Sequence, residues 1–155
     1  MLLYRITRKE FAELSGNGSR LYGGRWNSEG RSAVYMASSR SLAILESLVH
    51  LNPTNVPNDL CIMQIDVPGN MQEFDAKQLP VNWAEYDDQY VLKQIGDKFL
   101  GTKEKLLLKL PSAIVKQEFN FLFNPLHPDA VNAKVISIEP FVFDSRLMSW
   151  RLTDR

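Results

Sequence analysis

Short β-prone runs dominate this chain, and only two segments have the spacing of amphipathic helices. Strands are predicted over residues 2–7, 33–37, 60–67, 106–115 and 135–143, the fourth broken by Pro111-Ser112, and helices over 40–51 and 87–100. The runs do not alternate regularly with helices, as they do in parallel βαβ folds. We therefore expect an α+β fold: a single compact domain over residues 1–155, with a central mixed or antiparallel sheet of short strands and flanking helices.

The composition excludes several classes of protein. Lys and Arg number 18, as do Asp and Glu, so the formal net charge is +0, which argues against sequence-independent binding of nucleic acid. One cysteine, Cys61, excludes an internal disulfide, and with two histidines we expect no metal site. The first residues do not resemble a signal peptide, and no apolar run reaches the ~20 residues of a membrane span. We expect a soluble cytoplasmic protein.

A glycine-rich segment over residues 15–30 is predicted to be a long, shaped loop. It contains Gly23-Gly24-Arg25-Trp26-Asn27, in which two glycines allow a tight turn ahead of an arginine. A guanidinium held by such a loop is a planar, two-pronged partner for phosphate or carboxylate. The alternative is an ordinary turn with a surface arginine and a tryptophan that anchors the core.

Two further candidates lie in the strand and helix that follow this loop. Glu46 is predicted at the edge of the stripe formed by Leu42, Leu45 and Val49, where a carboxylate is partly withdrawn from water and needs a partner. Arg25 is the candidate partner, and the alternative is a boundary glutamate that reaches solvent. Tyr35 alternates to the face opposite its strand neighbours, where it either stacks a flat ring in a pocket or fills the core.

The second half of the chain gives weaker signals. Ser112, at a strand break, either faces a cleft with its hydroxyl or is structural. Residues 119–129 contain Asn120, Asn124 and two prolines, which predicts a structured turn region. His127 is interpreted as a hydrogen-bonding loop residue rather than a catalytic base. No Gly-x-Ser-x-Gly elbow, P-loop or His-Glu-x-x-His motif is present.

In combination, five segments resemble the RES domain family, named for an Arg, a Glu and a Ser. In chain order they are Gly-Gly-Arg25-Trp-Asn, Val-Tyr35-Met-Ala, Leu-Ala-Ile-Leu-Glu46-Ser-Leu-Val-His, Leu-Pro-Ser112-Ala-Ile-Val and Asn120-Phe-Leu-Phe-Asn124-Pro-Leu-His-Pro. The opening Tyr-Arg5-Ile is also similar to the family. The resemblance covers nearly the whole chain.

The resemblance implies a toxin of a type II toxin–antitoxin pair, assembled with an Xre-type helix-turn-helix antitoxin that supplies the DNA binding. It also implies a fold similar to the ADP-ribosyltransferase toxins and the consumption of NAD as a substrate, without a cofactor or a metal. NAD would be broken down by hydrolysis or phosphorolysis, or used to ADP-ribosylate a protein. A third alternative is a module that binds NAD or the antitoxin without turnover.

Cleavage of the nicotinamide–ribose bond resembles glycoside cleavage, and this chemistry suggests a role for each matched residue. Glu46 would stabilise the positive charge that develops on the sugar. Arg25, with Arg5, would hold the phosphates, and Tyr35 would pack against the nicotinamide or its ribose. Ser112 would supply a positioning hydrogen bond. Asn124 is assigned to NAD binding.

Overall fold

The computed structural model describes residues 1–85 and 90–149, which form one seven-stranded sheet with helices against it. The strands are β1 (Leu2–Arg8), β2 (Val34–Ala37), β3 (Leu60–Asp66), β4 (Met71–Glu73), β5 (Leu107–Pro111), β6 (Phe119–Phe123) and β7 (Lys134–Pro140). The helices are α1 (Asn17–Tyr22), α2 (Arg40–His50), α3 (Tyr90–Thr102) and α4 (Ser145–Met148). The strand order is β4-β5-β6-β2-β1-β3-β7, antiparallel except between β4 and β5. The predicted α+β fold with a mixed sheet is confirmed.

Successive residues of a strand point to opposite faces of the sheet, and in the central strands both sets of residues are apolar. The sheet is therefore covered on both faces. Val34 and Met36 of β2 enter one hydrophobic cluster, together with Phe123 of β6. Tyr35 packs against a second cluster, which contains Leu122. The predicted alternation of Tyr35 away from its neighbours is therefore confirmed.

Helix α2 begins where the sequence indicates. The Ser39 hydroxyl accepts a hydrogen bond from the backbone N–H of Leu42 at 3.0 Å, an N-cap contact. Leu42 and Ala43 are buried, which fixes α2 against the sheet. Val49 is 47% exposed, so the buried stripe is narrower than predicted. Glu46 lies one turn beyond Leu42 and is half-buried.

Helix α3 is present and packs one face against a hydrophobic cluster. Leu92, Gly96 and Phe99 are buried, whereas Tyr90 is 74% exposed and Val91 is exposed. A Cβ at Gly96 would overlap the carbonyl oxygen of Trp26, so α3 packs closely against the glycine-rich loop at this residue. Residues 87–89 of the predicted helix lie outside the described residues.

Three other expectations are corrected by the structure. The predicted turn region over 119–129 begins with β6, which pairs with β2 and β5 and is therefore an interior strand of the sheet. The strand predicted over 106–115 ends at Pro111, and the loop over 15–30 contains α1.

Among the described residues, no helix is both long and apolar enough to cross a membrane.

The centre of the sheet opens between β1 and β2. These two strands share one residue pair, Tyr4 opposite Ala37, whereas β1 pairs with β3 along its whole length. Beyond Tyr4 the two strands diverge, so the glycine-rich loop and α2 enclose a space that a continuous sheet would fill.

Candidate active site

A cavity of about 680 Å³ lies at this divergence, within the range of small-molecule sites. It is lined mainly by β1, α1 and the loop after it, β2 and α2, together with two residues of β6. Among the described residues, its charged lining consists of four cations and one carboxylate, namely Arg5, Arg8, Arg25, Lys93 and Glu46. Because the whole chain is neutral, this concentration of positive charge is local and favours an anionic ligand.

Two neutral donors hold the Glu46 carboxylate. The Ser112 hydroxyl donates to Glu46 Oε1 at 2.7 Å, and the Asn120 side-chain amide donates to the same oxygen at 2.6 Å. Hydrogen bonds to a charged acceptor are the strong ones, so this arrangement fixes the rotamer of Glu46. The predicted ion pair between Glu46 and Arg25 is wrong, because a hydroxyl and an amide occupy the place expected for the guanidinium.

Ser112 is completely buried and lies behind Glu46 rather than on the cavity surface. Its hydroxyl also accepts hydrogen bonds from the backbone N–H groups of Ile114 and Val115, at 3.1 and 3.0 Å. The Ser112 hydroxyl therefore both stabilises the turn after β5 and orients Glu46. The expectation that the Ser112 hydroxyl faces a cleft is wrong, and its contacts are those of a structural residue that also orients Glu46.

Tyr35 and Asn27 fix the glycine-rich loop. The Tyr35 hydroxyl donates to Asn27 Oδ1 at 2.6 Å and accepts from the backbone N–H of Trp26 at 2.9 Å. Burial raises the pKa of the Tyr35 phenol, so this group stays neutral. A Cβ on Gly24 would lie 2.6 Å from the Tyr35 oxygen, so only glycine permits this contact. Tyr35 also lines the cavity.

Arg25 is presented by this fixed loop. Its Nη1 donates to the carbonyl oxygen of Trp83 at 3.0 Å, and the residue lines the cavity. Farther along the loop, Ser28 bonds through its backbone N–H and hydroxyl to both carboxylate oxygens of Asp97 on α3, at 2.9 and 2.6 Å. Two elements therefore hold the segment that carries Arg25, which agrees with the prediction of a shaped loop.

Arg5 of β1 also lines the cavity, and its guanidinium is poorly satisfied. Nη2 makes one long contact, 3.4 Å to the Thr7 hydroxyl, and Nη1 is enclosed without a hydrogen-bond partner among the described atoms. Burial lowers the pKa of this arginine, although a guanidinium remains charged at neutral pH. Arg5 is thus a half-buried cation, attracted by Glu13 but without an ion pair among the described residues.

Comparison with known proteins identifies the family of this chain. The model of the RES domain matches residues 2–144. The chain belongs to the RES domain family. It is 39% identical over 149 residues to "Toxin Res" of Pseudomonas putida, covering 95% of this chain and 99% of that protein. It is 38% identical over 152 residues to "Toxin Res" of Photorhabdus laumondii, covering 96% and 97%.

Two further comparisons extend this result. The RES domain chain is 37% identical over 143 residues to the "Prs ADP-ribosylating toxin" of Sphingobium sp., covering 90% of this chain and 89% of that protein. Its fold is similar to that in the crystal structure of the M. tuberculosis MbcT–MbcA toxin–antitoxin complex. The TM-score is 0.74 at 17% identity, over 98% of this chain and 89% of that chain.

The sequence-predicted site residues do not all meet in the RES domain cavity. Arg5, Arg25, Tyr35 and Glu46 line it, and Ser112 supports it from behind. Asn124 lies elsewhere: its amide donates to the carbonyl oxygen of Leu100 and its Oδ1 accepts from the N–H of Leu126. These bonds tie the end of β6 to α3, so the structure gives Asn124 a structural role in place of the expected substrate contact.

Asn27 and Asn120 are the site residues to which the sequence assigned no role. Asn27 is fully buried and donates to the carbonyl oxygens of Ser19 and Arg31 while accepting from Tyr35. Asn120 is a polar residue between two phenylalanines, a pattern that indicates one polar position in an otherwise apolar strand. That signal was available, but the nearby prolines suggested a turn.

The two histidines are not at the centre of this site. His127 Nδ1 accepts a hydrogen bond from the N–H of Asp129 at 3.0 Å, which confirms its interpretation as a loop residue. His50 lies at the end of α2, on the cavity lining. In the part of the chain that the structure describes, no group of three or more His, Cys, Asp and Glu side chains could hold a metal ion.

Proposed function

We propose that this RES domain protein is a toxin that consumes NAD by cleaving the bond between nicotinamide and ribose. The observation that carries the proposal is a fixed carboxylate in a cavity whose other charged lining residues, within the part of the chain that the structure describes, are cations. NAD presents the complementary charges, because its pyrophosphate is anionic and the sugar becomes cationic as nicotinamide leaves.

The reaction makes a specific demand on Glu46. As the bond breaks, nicotinamide departs with the bonding electrons and positive charge develops on the ribose, as in glycoside cleavage. A carboxylate that is already oriented stabilises that charge without reorganisation during the reaction. The bonds from Ser112 and Asn120 supply the orientation, and both donors are neutral, so they bring no positive charge beside the carboxylate.

The remaining lining residues bind the rest of the molecule. Arg25, with Arg5, binds the pyrophosphate, and the enclosed guanidinium of Arg5 gains an ion pair that the described residues do not supply. Tyr35 offers its ring as an apolar surface for the nicotinamide or its ribose, since its hydroxyl is committed to the loop.

Nicotinamide release from NAD by the purified protein tests this proposal. Glu46→Gln preserves the shape of the side chain but removes its charge, and we expect a loss of about a hundredfold to a thousandfold in kcat. Glu104→Gln is the matched control, because Glu104 is exposed and outside the cavity, and it should retain wild-type activity. Equal rates for wild type and Glu46→Gln would exclude the assigned role. No release by wild type would exclude NAD cleavage.

The acceptor of the ADP-ribosyl group is tested separately. Dependence of the rate on added phosphate distinguishes phosphorolysis from hydrolysis. The similarity to a protein named as an ADP-ribosylating toxin favours protein modification as the second candidate. Labelled NAD incubated with cell lysate would then give a labelled protein band that Glu46→Gln abolishes. Binding of NAD in calorimetry without release or labelling would instead indicate a binding module.

We further propose that an Xre-type antitoxin neutralises this toxin by covering the cavity. The similar fold of a toxin solved in a toxin–antitoxin complex supports an antitoxin partner. Addition of a helix-turn-helix protein encoded beside the toxin should stop nicotinamide release in proportion to the complex formed. Undiminished release by the isolated complex would contradict occlusion of the cavity.

A further inference from the structure

We propose that Asn120 is a positioning residue for the reaction and that Glu46 presents its Oε2, not its Oε1, to the substrate. The inference rests on the proposed function and assigns roles to the two oxygens of its central carboxylate. Both protein hydrogen bonds to Glu46 end on Oε1. Oε2 accepts none from the residues that the structure describes.

The geometry gives the carboxylate a fixed and an available oxygen. Asn120 and Ser112 lie on different elements, at the start of β6 and just after β5, so their two bonds to Oε1 together fix the rotation of the carboxylate. A carboxylate oxygen accepts further hydrogen bonds readily. Oε2 is therefore available to a ribose hydroxyl or to the developing positive charge.

Asn120 is the more specific of the two donors. Register places it opposite Ala37 of β2, on the face that α2 covers, and it lines the cavity itself. The bond to Glu46 is the contact that the structure gives its side chain, whereas Ser112 also satisfies two backbone N–H groups. Loss of Asn120 should therefore affect the reaction more than the fold.

The test measures kcat, KM and melting temperature for Asn120→Ala and Asn120→Asp, with Asn55→Ala, an exposed loop variant, as the control. We expect Asn120→Ala to lower kcat by about tenfold to a hundredfold while KM for NAD stays near wild type. Asn120→Asp keeps the shape but replaces the donor by a second carboxylate. We expect it to lower kcat further, because two carboxyl groups at this distance share one proton and Glu46 then loses part of its charge.

A second readout does not depend on turnover. In protein labelled with ¹⁵N, the side-chain amide resonance of Asn120 should move when Glu46 is replaced by Gln, because the acceptor loses its charge. If the chemical shift of the Asn120 side-chain amide is the same in wild type and Glu46→Gln, the inference is overturned, even if wild type releases no nicotinamide. With an active wild type, a kcat for Asn120→Ala equal to that of Asn55→Ala would overturn it, as would an Asn120→Asp variant more active than Asn120→Ala.

Discussion

Replacing Arg5 by Met should make the free protein more stable and a poorer binder of NAD. In the free protein the guanidinium has lost most of its water, and its Nη1 has no acceptor among the described atoms. A buried donor without a partner costs about 1–3 kcal/mol. Methionine retains the unbranched apolar stem of arginine without the charge.

The size of the effect follows from what Arg5 gains and loses. The variant loses the 3.4 Å contact with Thr7, which is long for a hydrogen bond and therefore weak, and the attraction of Glu13. Subtracting these from the cost of the unsatisfied donor leaves a net gain of about 1–2 kcal/mol in the free energy of unfolding. For a chain of this size the melting temperature should rise by about 2–8 °C.

The binding effect has the opposite sign. A guanidinium that meets a phosphate contributes about 1.5–3 kcal/mol through charged hydrogen bonds, so KM for NAD should rise by about tenfold to a hundredfold. Thermal unfolding without ligand and nicotinamide release over a range of NAD concentrations measure the two effects. Arg146→Met, which removes an exposed arginine paired with Asp144, should change neither. A lower melting temperature for Arg5→Met, or an unchanged KM, would refute the reasoning.

Two further predictions concern the supports of the glycine-rich loop. A Cβ on Gly96 would lie 1.7 Å from the carbonyl oxygen of Trp26, so Gly96→Ala should lower the free energy of unfolding by about 1–3 kcal/mol and reduce activity by displacing the loop. Gly69→Ala, with open space around it, is the control and should lower that free energy far less. Equal losses in chemical denaturation would contradict this packing. The raised pKa of Tyr35 means that its contribution to stability is complete below about pH 10, where unfolded tyrosine ionises, and declines as the pH rises further. The wild type should therefore lose stability between pH 9 and about pH 11 more steeply than Tyr35→Phe in the same assay, and parallel pH profiles would contradict burial of the phenol.

The sequence predicted best the features that depend on neighbouring residues. Ser39 and the apolar spacing after it are local signals, and they placed α2 and the half-buried position of Glu46 correctly. Five of the seven strands were located within a few residues of their ends or as part of a longer run. The divergence of β1 from β2, which makes room for the cavity, depends on register across the sheet and has no local signal.

The partners of Glu46 show why the rest was not predictable. Ser112 and Asn120 are 66 and 74 residues away from it in the chain. Only the sheet brings them together, since β5 and β6 pair and the end of β5 and the start of β6 lie beside α2. Prolines near Asn120 favoured a turn by local rules, but pairing on both sides overrode that preference.

The error about Arg25 bears directly on the chemistry. Electrostatics alone favours a cation beside a half-buried carboxylate, and an ion pair would have satisfied both groups. It would also have reduced the negative charge available to the sugar, because a guanidinium in contact cancels most of the field of the carboxylate. Hydroxyl and amide donors orient Glu46 without neutralising it, and Arg5 and Arg25 line the same cavity without forming an ion pair with Glu46. Under the proposed function, this separation of the orienting dipoles from the positive charges would let one cavity stabilise a cationic transition state within an anionic substrate.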